Sequence, residues 1–158
     1  MRRPHILLAA LLATACSGSD NFAGVYTATF TLESEQCGLP NWTGGAVMAQ
    51  VPITITTDPN DPAFAQIVVG GSFGALMSSY SGSATVSGGV NDNTFNEQTG
   101  PGGFVSGGDP SCGGGSYVVA DVLARLDGDT LSGNVQFLRD CAVGCNDTAD
   151  FTATRPAK

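Results

Sequence analysis

From Phe22 onward the chain repeats with a period of two. In Phe22–Glu33, Phe22, Gly24, Tyr26, Ala28, Phe30 and Leu32 share one face, while Val25, Thr27, Thr29, Thr31 and Glu33 share the other. Alternation with threonine on the wet side predicts a half-buried strand. Val47–Thr57 alternates again, with Val47, Ala49, Val51, Ile53 and Ile55 expected to face inward. Pro52 lacks an amide donor, so its nitrogen must point away from a ladder partner or lie at a bulge. Phe64–Val69, Leu76–Val86, Thr94–Gln98, Tyr117–Leu126, Leu131–Arg139 and Thr148–Arg155 complete a set of eight predicted strands. No apolar stripe of helical period is read past the N-terminal leader.

These runs are separated by Asp58–Pro62, Gly70–Ala75, Ser87–Asp92, Asp127–Asp129 and three longer loops, Ser34–Gly45, Thr99–Ser116 and Asp140–Asp147. Asp127-Gly128-Asp129 is the strongest hairpin signal of the chain. Eight antiparallel runs in series predict an all-β, up-and-down β-barrel in which the last strand closes on the first and removes exposed edges. A two-sheet sandwich is the alternative. In the barrel, the turns after the even strands lie at one end with both termini. The loops after the odd strands, which carry Cys37, Cys112, Cys141 and Cys145, lie at the other.

The first residues have a different pattern. Arg2 and Arg3 precede an eight-residue apolar run, Ile6–Ala13, and the small pair Thr14-Ala15. This is the layout of a secretory signal helix, too short for the roughly 20 residues that span a bilayer. Ala13-Thr14-Ala15-Cys16 resembles the lipobox of bacterial lipoproteins. The resemblance implies cleavage before Cys16 and acylation of Cys16, and hence a chain divided into signal 1–15, lipidated Cys and tether 16–21, and barrel domain 22–158. Two or three acyl chains suffice for stable anchoring, at about 0.8 kcal/mol per buried methylene. Ala13 stands where that family prefers Leu. A plain secretory signal cut near Ala15 is the alternative. Ser17, rather than Asp, after the Cys implies passage to the outer membrane of a bacterial envelope.

Removing the leader changes the charge and the chemistry available. His5, the only histidine, leaves with it. Ser-His-Asp and Cys-His nucleophile systems and His-ligated metals are thereby excluded. Arg125, Arg139, Arg155 and Lys158 remain against fourteen acidic residues, a formal charge of −10. That balance disfavours nucleic acid and suits a cationic partner. The expected function is non-enzymatic, with no cofactor and no metal. The barrel or its far loops would bind a small apolar ligand or a cationic partner; the alternative is a structural envelope protein with no ligand.

With Cys16 lipidated, an even four cysteines are left, as an oxidising compartment favours. Cys37–Cys112 with Cys141–Cys145 is the favoured pairing. The first closes about 76 residues, contributing on the order of 4 to 5 kcal/mol, and the second about five, contributing roughly 2. Crossed pairings stay open, as does a Cys₄ zinc site, although only one C-x₃-C knuckle exists. Asp58, Asp61, Asp127 and Asp129 have turn chemistry without EF-hand spacing. Trp42, in a far loop, is the candidate binding residue, with a lid over the core as its other role.

Gly24-Val25-Tyr26 and Arg155 resemble the calycin signature, in which Gly-x-Trp opens the barrel and a basic residue from the last strand packs over the aromatic ring. Here Tyr replaces Trp. The resemblance implies a cation–π contact of roughly 0.5 to 2 kcal/mol across the barrel floor. The competing expectation is a core tyrosine and a separate surface arginine.

Overall fold

A computed structural model describes residues 22–33, 35–39, 41–98, 117–139 and 146–156. The leader, Cys16 and its tether, and Cys112, Cys141 and Cys145 with most of their loops lie outside these residues. Eight strands form one closed antiparallel barrel in chain order: β1 (Gly24–Leu32), β2 (Val47–Asp58), β3 (Asp61–Val69), β4 (Thr85–Asn91), β5 (Thr94–Gln98), β6 (Tyr117–Asp127), β7 (Thr130–Arg139) and β8 (Asp147–Thr154). Closure runs between β1 and β8, with Phe30 opposite Phe151 and Leu32 opposite Ala149. The up-and-down barrel, not the sandwich, is the architecture. Tyr26, Ala28, Phe30 and Leu32 face the core as their alternation requires, with Phe151 and Ala153 of β8 beside them.

The predicted strand Leu76–Val86 is corrected. Gly71–Ser81 is a helix, α1, and the fourth strand begins only at Thr85. Phe73, Leu76, Met77 and Tyr80 stand at i, i+3, i+4 and i+7 and are all buried. That spacing is a helical stripe. It escapes a period-two reading because Ser72, Ser78, Ser79, Ser81, Gly71 and Gly74 dilute it with weak helix formers. Gly82 ends the helix in the left-handed region, with φ 67° and its N–H donated to the Ser78 carbonyl. This is the usual glycine stop, where a Cβ would be penalised.

Two further positions depart from expectation. Val47 and Ala49 do not face inward; Val47 is 61% exposed. Between the pairs Ala28–Val51 and Phe30–Met48, β2 has one residue more than β1, and Gln50 takes φ 58°. The bulge inverts alternation beyond it and brings Met48 against the core. The β4–β5 turn is Asp92-Asn93, not Ser87–Asp92, because Asn91 pairs with Thr94. Pro52 lies just past the bulge, and its carbonyl accepts from Gly70 at 2.8 Å. N–H and C=O of one strand residue point the same way. The missing donor is therefore directed at the end of β3 and costs the β1–β2 ladder nothing.

The short turns Pro59-Asn60, Asp92-Asn93 and Gly128-Asp129 lie at the end of the barrel that holds both ends of the folded domain. The β1–β2 connection and α1 lie at the opposite end. This is the polarity that strand counting implies.

Candidate functional site

At the floor, Phe22 is fully buried beneath the first strand. Tyr26 donates its hydroxyl proton to the Phe22 carbonyl at 2.9 Å and accepts from Arg155 Nε at 2.8 Å. The Arg155 guanidinium carbon lies 5.0 Å from the Tyr26 ring centroid, within cation–π range. Asp129 in the β6–β7 turn sits 3.8 Å from the other side of the guanidinium. Gly24 takes φ 154°, a backbone conformation that side-chain-bearing residues rarely adopt, and lies beside this arginine, a Cβ there being in ordinary contact with Nε at 3.4 Å. The structure thus brings together Gly24, Tyr26 and Arg155, and the separate core-tyrosine and surface-arginine expectation does not hold. Burial pushes the Tyr26 hydroxyl above the ordinary tyrosine range, against the opposing pull of Arg155.

At the loop end, α1 lays its apolar stripe into the barrel mouth. Phe73 stacks on Phe30 with ring centroids 3.8 Å apart. Phe137 receives Trp42, Phe73 and Tyr80 in edge-on contacts at 5.6, 6.2 and 5.8 Å. Trp42 is only 4% exposed, and its indole N–H is donated to the Glu33 carbonyl at 3.1 Å. Of the two roles the sequence offers Trp42, the structure places it as a lid over the core. Its ring is drawn inward by the aromatic cluster, and its one polar group is paired.

Beneath the same loop lies a fully buried carboxylate, that of Asp147 at the start of β8. It accepts the backbone N–H of Gln36 at 2.6 Å and that of Cys37 at 3.2 Å. A buried charge needs such donors, and hydrogen bonds to it are stronger than neutral ones. The sequence reading assigned Asp147 to a loop and gave it no role. Its only signal is an acidic residue at a strand start, which does not reveal a partner 110 residues away. Cys37 is buried and disulfide-bonded. The other four cysteines lie outside the described residues.

Among the described residues, buried side chains crowd the barrel interior, and the void lined by Phe30, Ile53, Met77, Val122 and Phe151 among others is about 10 Å³ and wholly apolar. That is about the occupied volume of one water molecule. On the outer wall, the Oδ1 atoms of Asp121, Asn134 and Asn146 are buried without a hydrogen-bond donor. All three are acceptors on β6, on β7 and just before β8. Among the described residues no group of three or more His, Cys, Asp or Glu is placed to hold a metal ion.

No protein-family model, curated protein or solved structure matches the chain.

Proposed function

We propose that this chain is a lipid-anchored protein of the bacterial envelope whose barrel is a filled, non-enzymatic scaffold that presents its outer surface and loop end to a partner. The single observation that carries this reading is that the apolar void among Phe30, Met77 and Phe151 measures only about 10 Å³. Small-molecule sites are typically about 300 to 1,000 Å³. A ligand inside the barrel would have to displace Phe73 and Met77, so recognition by the exterior is favoured over the small apolar ligand. The acidic net charge supports a cationic partner. The floor contact of Gly24, Tyr26 and Arg155 supports a calycin-like descent of the barrel.

The lipid part of the proposal rests on Ala13-Thr14-Ala15-Cys16 and is supported by the position of Phe22 at the floor, opposite the loops. A six-residue tether (16–21) would hold that floor within about 20 Å of the bilayer surface. Palmitate-analogue labelling of the full chain in a Gram-negative host tests it. Label in the membrane fraction, lost in Cys16→Ala, is the expected result; label that survives Cys16→Ala, or none at all, contradicts it. The filled core also fits a structural lipoprotein with no ligand. Crosslinking on intact cells separates the two: a discrete partner adduct supports recognition, and its absence supports the structural reading.

A further inference from the structure

Gly89 has no structural explanation in the barrel. It lies in β4, exposed, and its φ is not among the positive values. A Cβ built there would meet only the Ala63 carbonyl oxygen, at an unstrained 3.9 Å. Its neighbour Gly88 is different: a Cβ there would strike the Asn96 carbonyl oxygen at 2.5 Å, so packing demands that glycine. A glycine inside a strand weakens it and often marks a bulge, a bend at a barrel corner or a place where a ligand or another backbone approaches closely; the β4 register at Gly89 is unshifted on both sides.

Gly89 is one wall of an open groove of about 470 Å³ formed by the β4–β5 hairpin, together with Asn91, Asp92, Thr94 and Asn96. The register places these side chains in two outward rows. Phe64, Gly89 and Asn96 lie side by side, with Leu123 next; Asn91 and Thr94 follow, with Arg125 next. Phe64 is 42% exposed, the aromatic among four exposed large hydrophobics of the described residues, the others being Val25, Val47 and Val68. Asn91 and Asn96 are exposed, each with an amide that can donate and accept at once.

We infer that this groove is a saccharide-binding site. A pyranose ring has an apolar C–H face and a rim of hydroxyls. The face would lie on Phe64 and on the bare backbone at Gly89, where a side chain would hold it off. The rim hydroxyls would exchange hydrogen bonds with the Asn91 and Asn96 amides and the Thr94 hydroxyl. An adjacent pair of hydroxyls matches the donor and acceptor of one planar amide. The site lies on the outer wall near the floor and does not depend on the lipid anchor or on the loop-end partner.

The test uses the full-length, isotopically labelled chain in micelles of a sugar-free zwitterionic detergent, followed by amide NMR. One arm adds tri-N-acetylchitotriose as a soluble amino-sugar oligomer; the other adds lipopolysaccharide. Saturable shifts at Gly89, Asn91, Thr94 and Asn96 are expected in at least one arm. The first arm alone identifies a wall-type glycan, and the second alone a glycolipid headgroup. Gly89→Val should fold normally, because its space is open, and weaken binding at least tenfold; Phe64→Ala should do the same. Thr152→Val, outward on β8, should bind as the wild type does. No saturable shift in either arm at 10 mM saccharide or at micelle-saturating lipopolysaccharide, or shifts undiminished in a folded Gly89→Val chain, would overturn the assignment.

Discussion

Single side chains hold the two ends of this barrel, and they do so by unlike chemistry. At the floor, Tyr26 is both donor and acceptor, so its loss affects two partners. Arg155→Ala removes a hydrogen bond and a cation–π contact from a partly buried site. A destabilisation of about 1 to 3 kcal/mol is expected in urea titrations. The Tyr26 hydroxyl titrates higher in the fold than in the unfolded chain. Its contribution is therefore complete below the ordinary tyrosine value of about 10 and is lost as pH rises from there through the folded value. Equilibrium unfolding between pH 8 and 11 should show this alkaline loss, and Tyr26→Phe should flatten it. At the other end, Asp147→Ala leaves the Gln36 and Cys37 amides without their acceptor, at a cost of about 2 to 4 kcal/mol. Asp147→Asn keeps an acceptor oxygen and should lose less. The floor pair was legible in the sequence because Gly24-x-Tyr26 and Arg155 resemble a known closure. Asp147 was not, because nothing local distinguishes a clamp from a solvated loop carboxylate.

The elements divide in the same way. Strands whose period-two pattern is unbroken, such as β1 and β8, were readable nearly to their ends. The pattern failed where a backbone event reset it. The bulge at Gln50 turned Val47 outward and Met48 inward. The serine-rich α1 concealed a stripe of four buried residues. That helix is an independent test of how the mouth is closed. Phe73→Ala removes a ring stacked on Phe30 and adjoining Phe137, and should cost about 3 to 5 kcal/mol by chemical denaturation. Gly133 tests the wall. A Cβ there would lie 2.0 Å from the Leu123 carbonyl oxygen, a backbone atom that cannot step aside without breaking the β6–β7 pairing. Gly133→Ala should reduce soluble, folded yield sharply, whereas Gly128→Ala in the open β6–β7 turn should cost much less, its φ of 59° being the only strain.

At the scale of the whole molecule, closure and polarity follow from counting strands, and the counting survived the misplaced fourth strand. Replacing a strand's beginning by a helix left the number of passes, and hence the up–down order, unchanged. What counting cannot give is how full a barrel is. Eight strands suit either a side-chain core or one small ligand. Here Phe22, the aromatic cluster around Phe137 and the α1 stripe decide for the core. The consequence is a domain with its short turns, Phe22 and Arg155 at one end and the β1–β2 connection and α1 at the other.

The intact mass of the full chain recovered from membranes tests the anchored-scaffold account most directly. The account predicts a chain beginning at Cys16, heavier by two or three acyl groups, and lighter by four hydrogens until reduced. An unacylated chain, or one retaining residues 1–15, would contradict it.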